Sequence, residues 1–173
     1  MHLIHCNHAQ HAEPILAILN EAIINSTALY DYQPRTLDSM TPWFNDKAAG
    51  NFPVIGVESA DGALLGFASY GVFRARPAYK YSVEHSVYIH HAHRGQGLGL
   101  WLLRELIACA TAQQLHVMVG GIDAANTASI ALHTKLGFVH AGTIQQAGFK
   151  FGRWLDVAFY QLTLSTPTQP QDG

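Results

Sequence analysis

Three glycines in five residues, Gly95, Gly97 and Gly99 of HRGQGLG (93–99), separate an alternating segment, EHSVYIH (84–90), from an apolar run at helical spacing, LWLLREL (100–106). The order is strand, glycine turn, helix. Glycine lacks the Cβ that would hold a ligand off the backbone, and a helix start presents unpaired N–H groups, so Arg94 to Gly99 form a candidate cradle for a phosphate. A helix with a flexible entry turn explains the same residues without a ligand. A doubly wound dinucleotide fold would carry its glycine motif after the first strand, whereas this one follows about the fourth. RGQGLG also lacks the Lys-Ser/Thr ending of a P-loop.

The rest of the chain supplies alternating strands and helices. Residues 2–6 read as a strand, and 13–26 as a helix with Pro14 in its first turn. Residues 39–50 read as a second helix, entered at Thr41 and Pro42 and stopped at Gly50. PVIGVES and LLGFASYGVF, joined by Asp61-Gly62, predict an antiparallel hairpin. Beyond the glycine turn come a helix over 97–113, the strand HVMVGGI, a helix over 125–136 and a closing strand pair, 138–149 with 153–164. This order predicts an α/β fold: a mixed sheet with helices on its faces. With 173 residues, 49% of them hydrophobic, the chain has enough apolar material for one domain over 2–164. The polar, proline-containing stretch 165–173 is expected to be a disordered tail.

A net charge of −2 argues against a nucleic-acid binder, and small molecules are the expected partners. No stretch approaches the roughly 20 apolar residues of a membrane span, and the start lacks the pattern of a signal peptide, so a cytoplasmic location without membrane partners is expected. Cys6 and Cys109 form no C-x-x-C pair, and the eleven histidines match no zinc spacing, so no metal is expected and solvated histidines are the default.

A second motif, NTASIALHTKLGF (126–138), sets Asn126, Ser129 and His133 along one helix face. Each also has a structural reading, as N-cap, solvated serine and surface histidine. The two motifs in this order resemble the GNAT superfamily of acyl-CoA-dependent N-acetyltransferases, whose R/Q-x-x-G-x-G/A signature is matched by Arg94, Gly97 and Gly99. YSVEHSVYIHHAHRGQGLG, GGIDAANTASIALHTKLGF and AGFKFGRWLDVAFYQ are similar, more narrowly, to the phosphinothricin and methionine sulfoximine N-acetyltransferases of that superfamily.

The resemblance implies the GNAT fold, a mostly antiparallel central sheet of about seven strands with helices on both faces. It implies acetyl-CoA as cosubstrate, an amino acid or close analogue as acceptor, direct transfer in a ternary complex, and a homodimer with the final strands near the subunit contact. Gly95, Gln96, Gly97, Leu98 and Gly99 with Arg94 would hold the pyrophosphate, Asn126 and Ser129 the pantetheine arm, and Val87, Tyr88 and Ile89 would polarise the thioester. The resemblance implies Glu84 as a base for the amine, directly or through a water, with His133 as the other candidate; an exposed edge carboxylate is the structural reading of Glu84. His133 stands where many relatives carry a tyrosine that protonates the thiolate, which leaves it as second base, acid or coenzyme contact. Arg74 and Arg76 could anchor the substrate carboxylate, and Tyr32, with Tyr30 and Arg35, could line its side-chain pocket. A peptide N-terminus as acceptor, or a coenzyme A sensor without catalysis, are the competing readings.

Overall fold

A computed structural model describes residues 1–172. The elements are β1 (His2–His5), α1 (His8–Asn25), α2 (Met40–Ala49), β2 (Val54–Glu58), β3 (Leu64–Val72), β4 (Ser82–Ile89), α3 (Leu98–Ala112), β5 (Val117–Asp123), α4 (Thr127–Lys135), β6 (Val139–Lys150) and β7 (Arg153–Thr163). The seven strands run in the order β1-β2-β3-β4-β5-β7-β6. Pairing of β1 with β2, β2 with β3, β5 with β7 and β6 with β7 is antiparallel, while β4 and β5 are parallel. The α/β sheet read from the sequence is therefore present, with one helical crossover where α3 joins the parallel pair.

Two entry points differ from the sequence reading. Helix α1 begins at His8, not at residue 13, because the Asn7 side chain caps it by accepting from the Gln10 N–H at 3.0 Å. Pro14 thus lies inside the helix rather than in its first turn. Helix α2 begins at Met40, ahead of the Thr41 entry expected.

The chain forms two compact units, residues 1–70 with 86–106, and residues 71–85 with 107 onward. In the first, α1 and α2 close over the hairpin through Ile15, Ile18, Leu19, Met40, Val54 and Phe67. The alternation of β2 and β3 gives way to nearly continuous burial, which is why those strands read as apolar runs. In the second, β7 lies between β5 and β6, and Met118, Phe138, Leu155 and Ala158 are buried. Within the tail stretch Thr166 is buried, and its hydroxyl donates to the Leu115 carbonyl.

Candidate active site

The glycine turn belongs to the first unit. Gly95 and Gly97 have φ of 77° and 80°, the left-handed region that glycine enters without steric cost. No atom lies within 4 Å of where a Cβ would stand on either, so the space beside the backbone is open. Helix α3 starts at Leu98, which is buried, and Trp101 N–H bonds to the Gly97 carbonyl at 3.1 Å. The first-turn N–H groups of a helix have no partner within it, so Gly95, Gln96, Gly97, Leu98 and Gly99 suit an anion such as a pyrophosphate. Arg94 is already engaged: its guanidinium pairs with Glu21 of α1 and its Nε donates to the Ile89 carbonyl. Tyr88 packs its ring on Phe67, centroids 5.5 Å apart, and Val87, Tyr88 and Ile89 are half-buried. Tyr32, in the same unit, is 69% exposed.

The second unit holds the other candidates. The ladder between β4 and β5 runs Ser82 to Val117, Val83 to Met118 and Glu84 to Val119, and goes no further. Neighbouring residues of a strand face opposite sides of the sheet, so Glu84 and His85 part company at the end of this ladder. Glu84 projects over Gly121: a Cβ there would stand 3.2 Å from Glu84 Oε1. Gly121 is exposed although it lies within a strand, so this side is open. Partial burial raises the Glu84 carboxyl above the usual carboxylate range, and the positive charge of Arg74 opposes that rise. Arg74 and Arg76 are exposed, with Arg74 lying 4.7 Å from the Phe73 ring centroid.

His85 projects over Gly120 on the opposite side and meets His133 of α4. Their rings stack with centroids 5.0 Å apart, and the two Nε2 atoms are 3.1 Å apart. A Cβ on Gly120 would stand 2.9 Å from His85 Nε2 and 3.0 Å from His133 Nε2. Phe138 closes on both rings, edge to face. His133 Nδ1 lies 2.7 Å from the Ser129 carbonyl, and Asn126 caps α4 by accepting from the Ser129 N–H at 3.1 Å. Burial pushes His85 down to about 3 and lowers His133 as well, so both rings are neutral at neutral pH.

The sequence-derived candidates thus fall into separate groups. Asn126, Ser129 and His133 do share a helix face, but Asn126 holds the cap and His133 is buried rather than a surface histidine. Glu84 and His133 are on opposite faces of the β4–β5 pair. His85 was missed, being read only as part of an alternating strand. The available signal was the Gly120-Gly121 pair inside a strand, which marks a close approach of other groups. Among the described residues, no group of three or more His, Cys, Asp or Glu side chains is placed to hold a metal ion. Nor is any described helix long and apolar enough to cross a membrane.

Residues 17–138, more than half of the chain, match the acetyltransferase (GNAT) family. The chain is 47% identical over 155 residues to an L-methionine sulfoximine/L-methionine sulfone acetyltransferase of Pseudomonas aeruginosa, covering 90% of each. It superposes with a TM-score of 0.98 on an acetyltransferase structure from Acinetobacter baylyi, 64% identical, over 99% of this chain and 96% of that one. A phosphinothricin acetyltransferase from Sinorhizobium meliloti, solved in complex with acetyl-CoA, gives a TM-score of 0.93 at 35% identity, over 99% and 92% of the two chains. The chain belongs to the GNAT family of acetyltransferases. The resemblance seen in the sequence and its narrower branch both agree with these relatives.

Proposed function

We propose that this protein moves the acetyl group of acetyl-CoA onto the α-amino group of a small amino acid or analogue of the methionine sulfone, methionine sulfoximine or phosphinothricin type. The named relatives support the donor and the acceptor class. The observation that carries the reading is Glu84, a carboxyl raised by partial burial at the end of a strand ladder, over an exposed glycine and under the field of Arg74.

Only an unprotonated amine carries the lone pair that attacks a thioester. Glu84 is the base in this reading, since raising a carboxyl towards neutrality makes it a better acceptor for an ammonium proton. Arg74, with Arg76, takes the substrate carboxylate, a pairing for which a guanidinium is well shaped. The glycine turn holds the coenzyme pyrophosphate on backbone N–H groups, which leaves the Arg94 guanidinium on Glu21. Acetyl-CoA supplies the activated acetyl group, and transfer is direct. Neither cysteine serves as nucleophile: burial pushes the Cys6 thiol up to about 12, and Cys109 lies outside the glycine turn.

The protein acts as a cytoplasmic homodimer with a single catalytic domain over 2–164. The exposed Val139, Ile144, Phe149 and Trp154 on β6 and β7 support a subunit contact at the final strand pair.

Thiol release from acetyl-CoA, measured over amino acids, their α-amides and short peptides, tests the activity. Methionine sulfone, methionine sulfoximine or phosphinothricin should be acetylated well above its α-amide. Turnover of peptides alone would move the acceptor to a protein N-terminus, and coenzyme binding without turnover of any amine would make the protein a sensor. Sedimentation tests the dimer, and a monomer at all concentrations would remove it.

A further inference from the structure

The open face of β5 holds more than Glu84. The three atoms nearest to where a Cβ on Gly121 would stand are Glu84 Oε1 at 3.2 Å, Phe159 Cε1 at 3.5 Å and Val157 Cγ1 at 3.8 Å. A carboxylate on β4 and two apolar side chains on β7 therefore border one space over an exposed glycine. The register explains the convergence: Phe159 pairs with Gly121 on one side and with Gly142 of β6 on the other, while Val157 pairs with Asp123 and Ile144. Residues paired across a sheet share a face, so Phe159 and Val157 stand on the face of Glu84. With glycine on both neighbouring strands, the Phe159 ring has no side chain beside it in its own row, and a Cβ on Gly142 would meet no atom within 4 Å. Glycine inside a strand marks a place where another group comes close to the backbone. Both β7 residues are half-buried, an apolar surface that the fold leaves partly uncovered.

An α-amino acid carries three groups on its Cα that a site must tell apart. In the reading above, the nitrogen goes to Glu84 and the carboxylate to Arg74, whose charge acts on Glu84. Arg74 follows β3, on one side of β4, and β7 lies beyond β5 on the other side. The space over Gly121, bordered by Phe159 and Val157, is then the place left for the side chain. Apolar atoms there suit a side chain that ends in a methyl group, as that of methionine sulfone does.

We propose that Phe159 and Val157 select the acceptor by its side chain, receiving the far end of that chain over Gly121 while the α-nitrogen stays at Glu84. The Phe159 ring limits the length that fits, because it borders the same space as the carboxylate. Val157, two residues along β7, narrows that space from the side of Asp123. Gly121 keeps it open, since a side chain there would stand in contact with all three groups. The inference rests on the acetyltransferase reading above and adds to it the residues that discriminate among acceptors.

The test compares two acceptors that differ by one methylene, methionine sulfone and ethionine sulfone, because a ratio of their kcat/KM values cancels any loss of folded enzyme or of coenzyme binding. Phe159→Ala should shift that ratio at least about tenfold towards ethionine sulfone, the lower end of what one methylene is worth in a fitted pocket. Val157→Phe should shift it the other way. Acetyl-CoA affinity and sedimentation should match wild type in both. A ratio unmoved in both variants overturns the proposal, and altered sedimentation of Phe159→Ala would assign the ring to a subunit contact and overturn it too. A second measurement needs no variant: NMR of the phenylalanine-labelled wild type with coenzyme A and methionine sulfone should show a nuclear Overhauser contact between the sulfone methyl and the Phe159 ring. Its absence overturns the proposal even if neither variant folds. Wild-type thiol release is the control: no turnover of any amine would sink the acetyltransferase reading, whereas turnover together with any of these contrary results would sink this inference alone.

Discussion

The two faces of β5 around Gly120 and Gly121 differ more than two adjacent residues usually do. Gly121 is exposed beneath a carboxylate that burial raises only partly; Gly120 is buried beneath two imidazoles that burial holds neutral. One face can meet a solvated ammonium, and the other is a closed proton pair. The glycines make room for both, because any Cβ at Gly120 would meet the imidazoles at 2.9 and 3.0 Å and one at Gly121 would press on Glu84 at 3.2 Å. The turn glycines Gly95 and Gly97 do a different job: nothing crowds them, and their positive φ shapes the backbone.

The largest effect should come from the open face. Glu84→Gln removes the proposed base and should lower kcat by roughly 10²- to 10⁴-fold while acetyl-CoA affinity stays within error. Rates near native would leave the open face without a base and make the two faces equal in chemical importance. The closed face should dominate the acid stability. His85 titrates lower in the folded protein than its ordinary 6.5, so the unfolded chain binds the extra proton first. Stability is therefore complete above pH 6.5 and is lost as pH falls from there towards about 3, by a few kcal/mol. Urea midpoints measured across that range should slope in wild type and flatten in His85→Phe; parallel slopes would mean that His85 is not the buried group responsible.

Crowding the closed face should cost less. Gly120→Ala puts a methyl against both ring nitrogens and should destabilise by about 1–3 kcal/mol. A melting temperature unchanged from wild type would show that α4 can retreat freely. Smallest of the four is Gly97→Ala, where the added methyl meets no atom and the cost is the left-handed conformation, about 1 kcal/mol. Calorimetry with acetyl-CoA should show weaker binding in a folded variant, and unchanged affinity would separate the turn from the pyrophosphate.

How far the sequence foretold this differs between the two faces and the turn. The turn was legible because glycine spacing and the apolar helix behind it are local signals, and α3 starts within a residue of the expected place. Strand periods located β4 to β7 within a few residues for the same reason. Glu84 came from the family motif, and the structure puts it at the end of the β4–β5 ladder. The histidine pair was illegible because its partners are 48 residues apart and because a histidine in an alternating strand carries no mark of burial. The first turn of α1 is hidden in the sequence for a related reason: His8, Gln10 and His11 look solvated, yet His11 is buried, with Nε2 3.2 Å from Glu58 Oε1.

The place of β7 between β5 and β6 also sets an order of assembly. β5 is synthesised well before Arg153–Thr163, the strand that covers its outer edge by pairing from Val117 through Asp123. Until β7 has emerged from the ribosome, VMVGGID exposes a row of unpaired backbone groups, the kind of edge that recruits other strands. Its two glycines lower the β-propensity of that segment during the interval. The residues that make room for Glu84 and the imidazoles are thus also the ones expected to weaken that edge as a template, and chains truncated before residue 153 should aggregate more readily when Gly120 and Gly121 are replaced by valine.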